Sequence, residues 1–187
     1  MVVFVGRLAD WKRMDLVMDA AEIYDAEFVK AGKKVLTLCI GGGIEQDQMR
    51  YLQKFRDLKN KHIFYVGPQN QPALCQLWNV AEVGVYPSKN EPFGMVFVET
   101  MACGTPVIGA RSGGPMEFVD EKVGALVDEN EDRQVMVQDL AKYVIQFVNN
   151  GEKAKKRKEC LKRAAQFGSV GMQQKLLRDL EPLLMAK

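Results

Sequence analysis

Histidine and cysteine are scarce in this chain, and their scarcity removes whole classes of chemistry. The 187 residues include one histidine, His62, and four cysteines, Cys39, Cys75, Cys103 and Cys160. The cysteines stand far apart in sequence and form no paired motif, whereas a zinc site needs closely spaced ligands. A His-rich metal centre and a Cys–His dyad are equally poorly served. The thiols read as buried side chains of a cytoplasmic protein. His62, at the start of a strand-like run, reads as a structural histidine rather than a general base. An excess of charge is also missing. Lys and Arg total 26, Asp and Glu 24, and the formal net charge is +2. That argues against a nucleic-acid partner, which demands a basic face. No run of about 18 apolar residues occurs, so no membrane span is expected. Nor does the N-terminus read as a basic segment followed by an apolar one, the pattern of a signal peptide.

What the chain has is hydrophobic material, at 47%, in a regular alternation. Met1–Gly6, Val35–Ile40, His62–Val66, Val83–Tyr86, Pro106–Gly109 and Gly124–Val127 are short apolar runs, mostly bounded by glycine or proline, and predict six strands. Between them Asp15–Ala31, Gln46–Lys59, Gln71–Ala81 and Phe93–Cys103 carry apolar residues at helical spacing, and Gly113-Gly114-Pro115 opens a short helix. Strands this apolar, separated by helices, predict a Rossmann-like, doubly wound parallel α/β sheet of about six strands, covered on both faces. Residues 1–130 form the sheet core. Residues 131–187 read as three extra C-terminal helices, Asp132–Asn150, Glu152–Phe167 and Ser169–Met185. Lys155, Lys156, Arg157, Lys158, Lys162 and Arg163 make the second one basic, either as a solvated face or as a contact for an anionic membrane surface or partner. The first strand starts at Met1 itself, which reads as a domain cut from a longer chain in preference to an unusually compact protein.

Ligands of doubly wound sheets bind outside the carboxyl ends of the strands, so the loops there are the place to look for chemistry. Pro87–Phe118 is the most informative stretch. Glu91 follows the fourth strand, Gly94 opens a helix, and Glu99 lies inside that helix. Free amides at a helix N-terminus favour an anion such as diphosphate, and Gly94 lets a ligand approach the backbone. Two carboxylates at this spacing suit hydroxyl pairs on a sugar and a ribose. They equally suit a helix cap at Glu91 and a solvent-facing Glu99. Arg7 and Lys12, after the first strand, offer a fork and a point charge to phosphates, or are two surface charges. No P-loop exists, and Gly41-Gly42-Gly43 is not the dinucleotide fingerprint. It is either a tight turn or a place for a ligand to touch backbone. Met95 and Met101 read as core residues rather than ligand contacts, although Met95 stands at the mouth of the helix.

The Glu-x7-Glu stretch, followed by Met101-Ala102-Cys103-Gly104-Thr105-Pro106-Val107-Ile108 and Gly113-Gly114-Pro115, closely resembles the nucleotide-sugar-binding half of retaining glycosyltransferases of family 4, with the GT-B fold. Val5-Gly6-Arg7-Leu8 with Lys12, Phe64-Tyr65-Val66-Gly67, and Ala81-Glu82-Val83-Gly84-Val85-Tyr86-Pro87-Ser88 resemble it too, in family order from about residue 2 to 127. The resemblance implies a hexosyltransferase parent that takes an NDP-sugar, UDP-glucose or a relative, to an acceptor hydroxyl with retained configuration. It implies that Arg7 and Lys12 hold the diphosphate, and that Glu91 orients the sugar with the amides of Phe93, Gly94 and Met95. Glu99 then takes the ribose hydroxyls, the loop at Gly67-Pro68 lies near the base, and Gly6, Pro92 and Val96 complete the donor lining. Arg7, Lys12 and Glu91 are the catalytic set. No metal and no other cofactor is implied. The family's N-terminal acceptor-binding domain has no match here, so the isolated domain is expected to be inactive and to expose apolar surface that favours weak self-association. Two departures stand out: Arg13 replaces the usual glycine after the lysine, and Thr100 replaces the alanine after the second glutamate. Three functions compete: a transferase domain, a non-catalytic or regulatory domain that only binds the nucleotide sugar, and another GT-B enzyme such as an epimerase or phosphorylase.

Overall fold

A computed structural model of the chain describes residues 1–168 and Gly171. In chain order the elements are β1 (Val2–Val5), α1 (Met14–Lys30), β2 (Thr37–Ile40), α2 (Glu45–Asp57), β3 (Ile63–Gly67), α3 (Gln71–Val80), β4 (Val83–Tyr86), α4 (Met95–Ala102), β5 (Val107–Ala110), β6 (Gly124–Val127), α5 (Arg133–Asn149) and α6 (Glu152–Ala165), with 3-10 turns at Asp10–Lys12 and Gly114–Glu117. The six strands are all parallel, in the order β3-β2-β1-β4-β5-β6. This is the doubly wound α/β sheet that the alternation predicts. The predicted helix over Ser169–Met185 lies, Gly171 aside, outside the described residues.

Each element has a local cause. β4 and β5 are buried along their whole length, which is why they read as unbroken apolar runs rather than as alternating ones. α3 begins where the Asn70 side chain accepts the Ala73 amide at 3.0 Å, with Pro72 in the first turn. α5 begins where Asp132 accepts the Gln134 amide at 2.8 Å. Right-handed crossovers then sort the helices. α1 and α2, running from β1 towards β3, cover one face; α3 and α4, running back the other way, cover the opposite one. α5 packs on α1 and α6 on α4.

Coverage of the sheet is incomplete at β3, contrary to the expectation of two closed faces. Ile63 is buried, but Phe64 and Val66 on the opposite face are 45% and 40% exposed. α3 leaves β3 at once to pack under β1 beside Val3 and Ile40, so nothing in the described residues closes over that edge. The cysteines are not all buried, contrary to what the sequence suggests. Cys39, Cys103 and Cys160 are buried, but Cys75 is exposed on α3. His62 is partnered within the fold: its Nδ1 lies 2.9 Å from Asp25 Oδ1, and its amide donates to Asn60 Oδ1. The basic helix is only partly a solvated face. Lys156 donates to the Glu121 carbonyl, Arg157 to the Cys103 carbonyl, and Arg163 to the Phe118 carbonyl and Asp120, while Lys158 and Lys162 remain exposed. Half of its charge therefore clamps α6 onto the domain.

One buried polar chain joins the second layer to the sheet. Trp78 Nε1 on α3 donates to Tyr86 Oη on β4 at 3.0 Å, Tyr86 Oη lies 2.6 Å from Thr100 Oγ1 on α4, and Thr100 Oγ1 donates to the Val96 carbonyl at 2.7 Å. Because the threonine proton goes to Val96, the tyrosine must donate to the threonine, and every polar atom is satisfied. Burial raises the Tyr86 hydroxyl far above its ordinary value, so it stays a neutral donor. Thr100 is thus the pivot of this chain, a task alanine at that position cannot perform. Tyr86→Phe strands the Trp78 N–H in the core. Urea denaturation of that variant is expected to show a loss of about 1–3 kcal/mol, the cost of an unmet buried donor; an unchanged midpoint would contradict the role given to the chain.

Candidate functional site

The strand order reverses between β1, which pairs with β2 on one side, and β4 on the other. The loops that leave β1 and β4 therefore diverge to opposite faces and leave a crevice between them at the carboxyl edge. Side chains from both loops meet there. Lys12 Nζ lies 2.6 Å from Glu91 Oε2, and the two side chains are 13% and 8% exposed. The loops are also stitched through their backbones, since the Lys89 amide donates to the Trp11 carbonyl at 2.7 Å.

Glu91 is fixed from a third side. It forms an isolated parallel bridge with Gly113, and its carbonyl accepts the Gly114 amide at 2.7 Å. Gly113 has φ 80°, and a Cβ there would overlap the Glu91 backbone, so only glycine permits this approach. The preceding residue, Asn90, also lies in the left-handed region, at φ 51°, with its amide bonded to Ser112 Oγ at 2.8 Å. The β4–α4 loop is thus clamped between the loops after β1 and β5. Glu91 does not cap α4; the cap is Gly94, with φ 97° and no side-chain cap bond. The first amides of α4 have no intrahelical acceptor, which leaves them to a ligand or to water.

Glu99 stands about one turn deeper in α4 and is partly exposed. Its Oε1 accepts a hydrogen bond from Gln71 Nε2, at the start of α3, at 3.1 Å. Phe93 and Met95 flank the mouth of the helix at 36% and 56% exposure. The reading of Met95 as core is therefore wrong, because it occupies the outward side of the first turn; Met101, one and a half turns on, is fully buried. Phe93 is supported from behind by Phe118 and Phe167, with ring centroids 5.6 and 5.5 Å away.

The remaining predicted residues lie on the same edge. Arg7 is exposed, two residues beyond β1; Gly6 abuts the aliphatic stem of Lys12; Val96 is half-buried and Pro92 exposed. The Gly67 carbonyl accepts the Gly41 amide at 3.1 Å, which draws the β2 and β3 loops together. A Cβ on Gly41 would overlap the Gly6 carbonyl oxygen, and Leu8 donates to the Gly42 carbonyl at 2.9 Å. Close backbone packing accounts for that glycine run.

A cleft of about 820 Å³ lies beside these loops, lined in part by Asn90 and Ser112, and none of the predicted donor residues lines it. Its walls include Arg13, Lys89, Asn90, Tyr51 and Arg133. Most of its cations are already committed. Arg13 makes a two-pronged pair with Glu129 at 2.8 and 2.9 Å, Arg133 pairs with Asp15 and Asp19, and Arg50 pairs with Asp10. The cleft is chiefly a network that ties α5 and α2 to α1. Gln71, Asn90 and Ser112, which bear on the site, were not singled out by the sequence, although Asn90 and Ser112 lie within the Pro87–Phe118 stretch and Gln71 at a predicted helix start.

The family model described as "Glycosyl transferases group 1" matches residues 1–167. The D-inositol 3-phosphate glycosyltransferase of Thermobispora bispora is 34% identical over 139 residues, which is 71% of this chain and 32% of that protein. The protein of the same name from Mycobacteroides abscessus is 36% identical over 131 residues, 67% of this chain and 28% of its own. The chain spans about a third of the length of these curated relatives. Among solved structures, Anabaena Alr3699/HepE in complex with UDP-glucose superposes with a TM-score of 0.77 and 28% identity over 97% of this chain and 48% of that one. The pneumococcal O-GlcNAc transferase GtfA, in complex with UDP and GlcNAc, superposes with a TM-score of 0.78 at 22% identity, over 98% of this chain and 36% of that one, a likeness of fold.

Lys12 and Glu91 are each poorly solvated, so each depends on the other. Lys12→Ala leaves a buried carboxylate without its counter-charge and is expected to cost about 3 kcal/mol in chemical denaturation. The double replacement Lys12→Met with Glu91→Leu is expected to cost less than Lys12→Ala alone. A double variant less stable than the single one would show that the pair's mutual neutralisation is not what holds the two loops.

Proposed function

Because the chain belongs to the glycosyl transferases group 1 family, we propose that its carboxyl edge binds the nucleoside diphosphate sugar of a hexosyl transfer. One observation carries the reading: Lys12 and Glu91 meet across the strand-order reversal, at the mouth of a helix that carries Glu99 about one turn further in. A cation, a carboxylate and unpaired amides at that point match the three parts of such a donor, which are diphosphate, sugar and ribose.

In this reading Lys12 works without leaving Glu91. An ammonium has three donors, and one suffices for Glu91. The other two reach a phosphate oxygen, so that Lys12 sits between the anionic donor and the anionic side chain and screens one from the other. Arg7 adds a second positive charge from the same loop, and the N-terminus of α4 adds its dipole. Together they stabilise the charge that builds on the departing nucleotide, the function a divalent cation would otherwise serve. Glu91 accepts hydroxyls of the hexose, with the amides of Phe93, Gly94 and Met95 beside it. Glu99 accepts the ribose hydroxyls in exchange for, or together with, its bond from Gln71. Gly67 and Pro68 border the base.

The finer assignment is a retaining enzyme of family 4 with a UDP-glucose-like donor. It is supported by the motif context and by the likeness to Alr3699/HepE, whose structure contains UDP-glucose. In this reading Glu91, engaged by Lys12, orients the sugar rather than attacking it. The acceptor would be held by a further domain, and transfer would require it. The curated relatives act on an inositol phosphate by name, but the residues described above address the donor alone.

Calorimetric titration of this chain with UDP, GDP, ADP and their glucose conjugates, without added metal, tests the reading. Selective binding of one nucleotide is expected, weakened about tenfold in Glu99→Ala. Lys12→Met should weaken the diphosphates while leaving the weak binding of the free nucleoside unchanged. Failure to bind any of the six ligands, or equal binding by Glu99→Ala, would overturn it.

A further inference from the structure

α3 and α4 run side by side behind the donor edge, and their facing residues form a two-rung ladder. The upper rung is the Gln71–Glu99 hydrogen bond at 3.1 Å. Four residues further along each chain, one helical turn down, the lower rung is Cys75 against Cys103, with their sulfurs 3.7 Å apart. Cys75 is exposed and Cys103 is buried beneath it. The other two thiols, Cys39 and Cys160, are buried elsewhere, and burial pushes both up to about 12. The chain therefore holds one accessible thiol, and it lies in van der Waals contact with one concealed thiol.

We propose that Cys75 and Cys103 are a reversible disulfide site that controls the donor pocket through the Gln71–Glu99 rung. The control rests on the donor reading given above; the disulfide itself does not. The oxidant is a small disulfide such as oxidised glutathione. The Cys75 thiolate attacks one of its sulfurs, the S–S bond breaks, and one glutathione thiolate leaves. Cys103 then loses its proton and attacks Cys75 Sγ, expelling the second glutathione. Two protein thiols are oxidised, one small disulfide is reduced, and the two protons end on two molecules of glutathione. Burial and the neighbouring Cys75 thiol push Cys103 up to about 11, which keeps it unreactive until Cys75 has been activated. Its advantage in the second step is proximity, since the target sulfur is already in contact with it.

The structural consequence follows from the spacing. A disulfide holds its sulfurs about 2.05 Å apart, so closure draws α3 towards α4 at the lower rung. The Gln71 amide is thereby pressed onto Glu99, and the carboxylate that the ribose hydroxyls require is more tightly occupied. Oxidation is thus expected to weaken donor binding, and reduction to restore it.

The test uses the whole chain, incubated with oxidised glutathione or with dithiothreitol, followed by intact mass, peptide mapping and UDP titration. The oxidised protein is expected to lose the mass of two hydrogens and to yield a single cross-linked peptide pair containing Cys75 and Cys103. Cys75→Ser should form neither adduct nor cross-link. Cys103→Ala should stop at a glutathione adduct on Cys75, which shows the order of attack without relying on the fold of the other variant. A wild-type chain that retains the adduct, or that cross-links through Cys39 or Cys160, overturns the site. UDP should bind the oxidised chain about fivefold more weakly, with no such change in Cys75→Ser treated alike. A cross-linked chain of undiminished affinity overturns the control. UDP binding by neither form would instead count against the donor reading, while the mass data would decide the disulfide independently.

Discussion

The structure of this domain turns on a buried contact between two charges at the seam of its sheet. In a doubly wound sheet, the loops after β1 and β4 are driven apart by the opposite sense of their crossovers, so an opening at the carboxyl edge is a property of the topology. Lys12 and Glu91 span that opening at 2.6 Å. Neither is well solvated, and neither would be tolerated there alone. The pair joins the two loops across the crevice. The same contact thus limits how far the loops can separate and supplies the charges with which they would act.

Everything around the pair restricts its freedom further. The Glu91–Gly113 bridge leaves no room for a side chain, and the Asn90 amide is fixed to Ser112. From below, the Trp78–Tyr86–Thr100 chain sets the depth of α4 against β4. From behind, Phe118 and Phe167 support Phe93. These contacts come from β4, β5, α3 and the end of α6, so the geometry of a loop of a few residues depends on segments dispersed over most of the described chain. A loop held in this way before any ligand arrives would need little further ordering on binding.

Much of this was legible in the sequence because burial leaves a periodic trace. β4 and β6 occupy the residues assigned to them, and the helix bounds shift by a residue or two at most of their ends, since strands covered on both sides have to be apolar throughout. Glu91 and Glu99 were legible as a spaced pair. Their partners were not. Nothing in the order of residues brings Gln71 to Glu99 or Cys75 to Cys103, because those contacts depend on how α3 and α4 lie against each other after each has packed on the sheet. The open face of β3 escaped for the same reason. Phe64 and Val66 have the composition of buried residues, and only the departure of α3 towards β1 leaves them uncovered.

Arg13 shows how a departure from a motif can preserve the structure that the motif serves. The glycosyltransferase pattern that the sequence resembles usually places glycine after the lysine, and the reason is visible here: the residue has φ 51° and ψ 42°, the left-handed conformation, between the turn that carries Lys12 and the first turn of α1. An arginine held there costs about 1–2 kcal/mol of backbone strain. Its guanidinium, however, binds both oxygens of Glu129 in the loop after β6, and such two-pronged charged pairs are among the stronger hydrogen-bonded contacts. The strain is offset by an anchor glycine could not provide. The exchange also changes what the turn is connected to. With glycine, Lys12 would be positioned by its own loop and by Glu91; with arginine, the turn is tied to the β6–α5 connection as well. The backbone that aims Lys12 is therefore kept, while its rigidity is supplied from the loop after the edge strand β6.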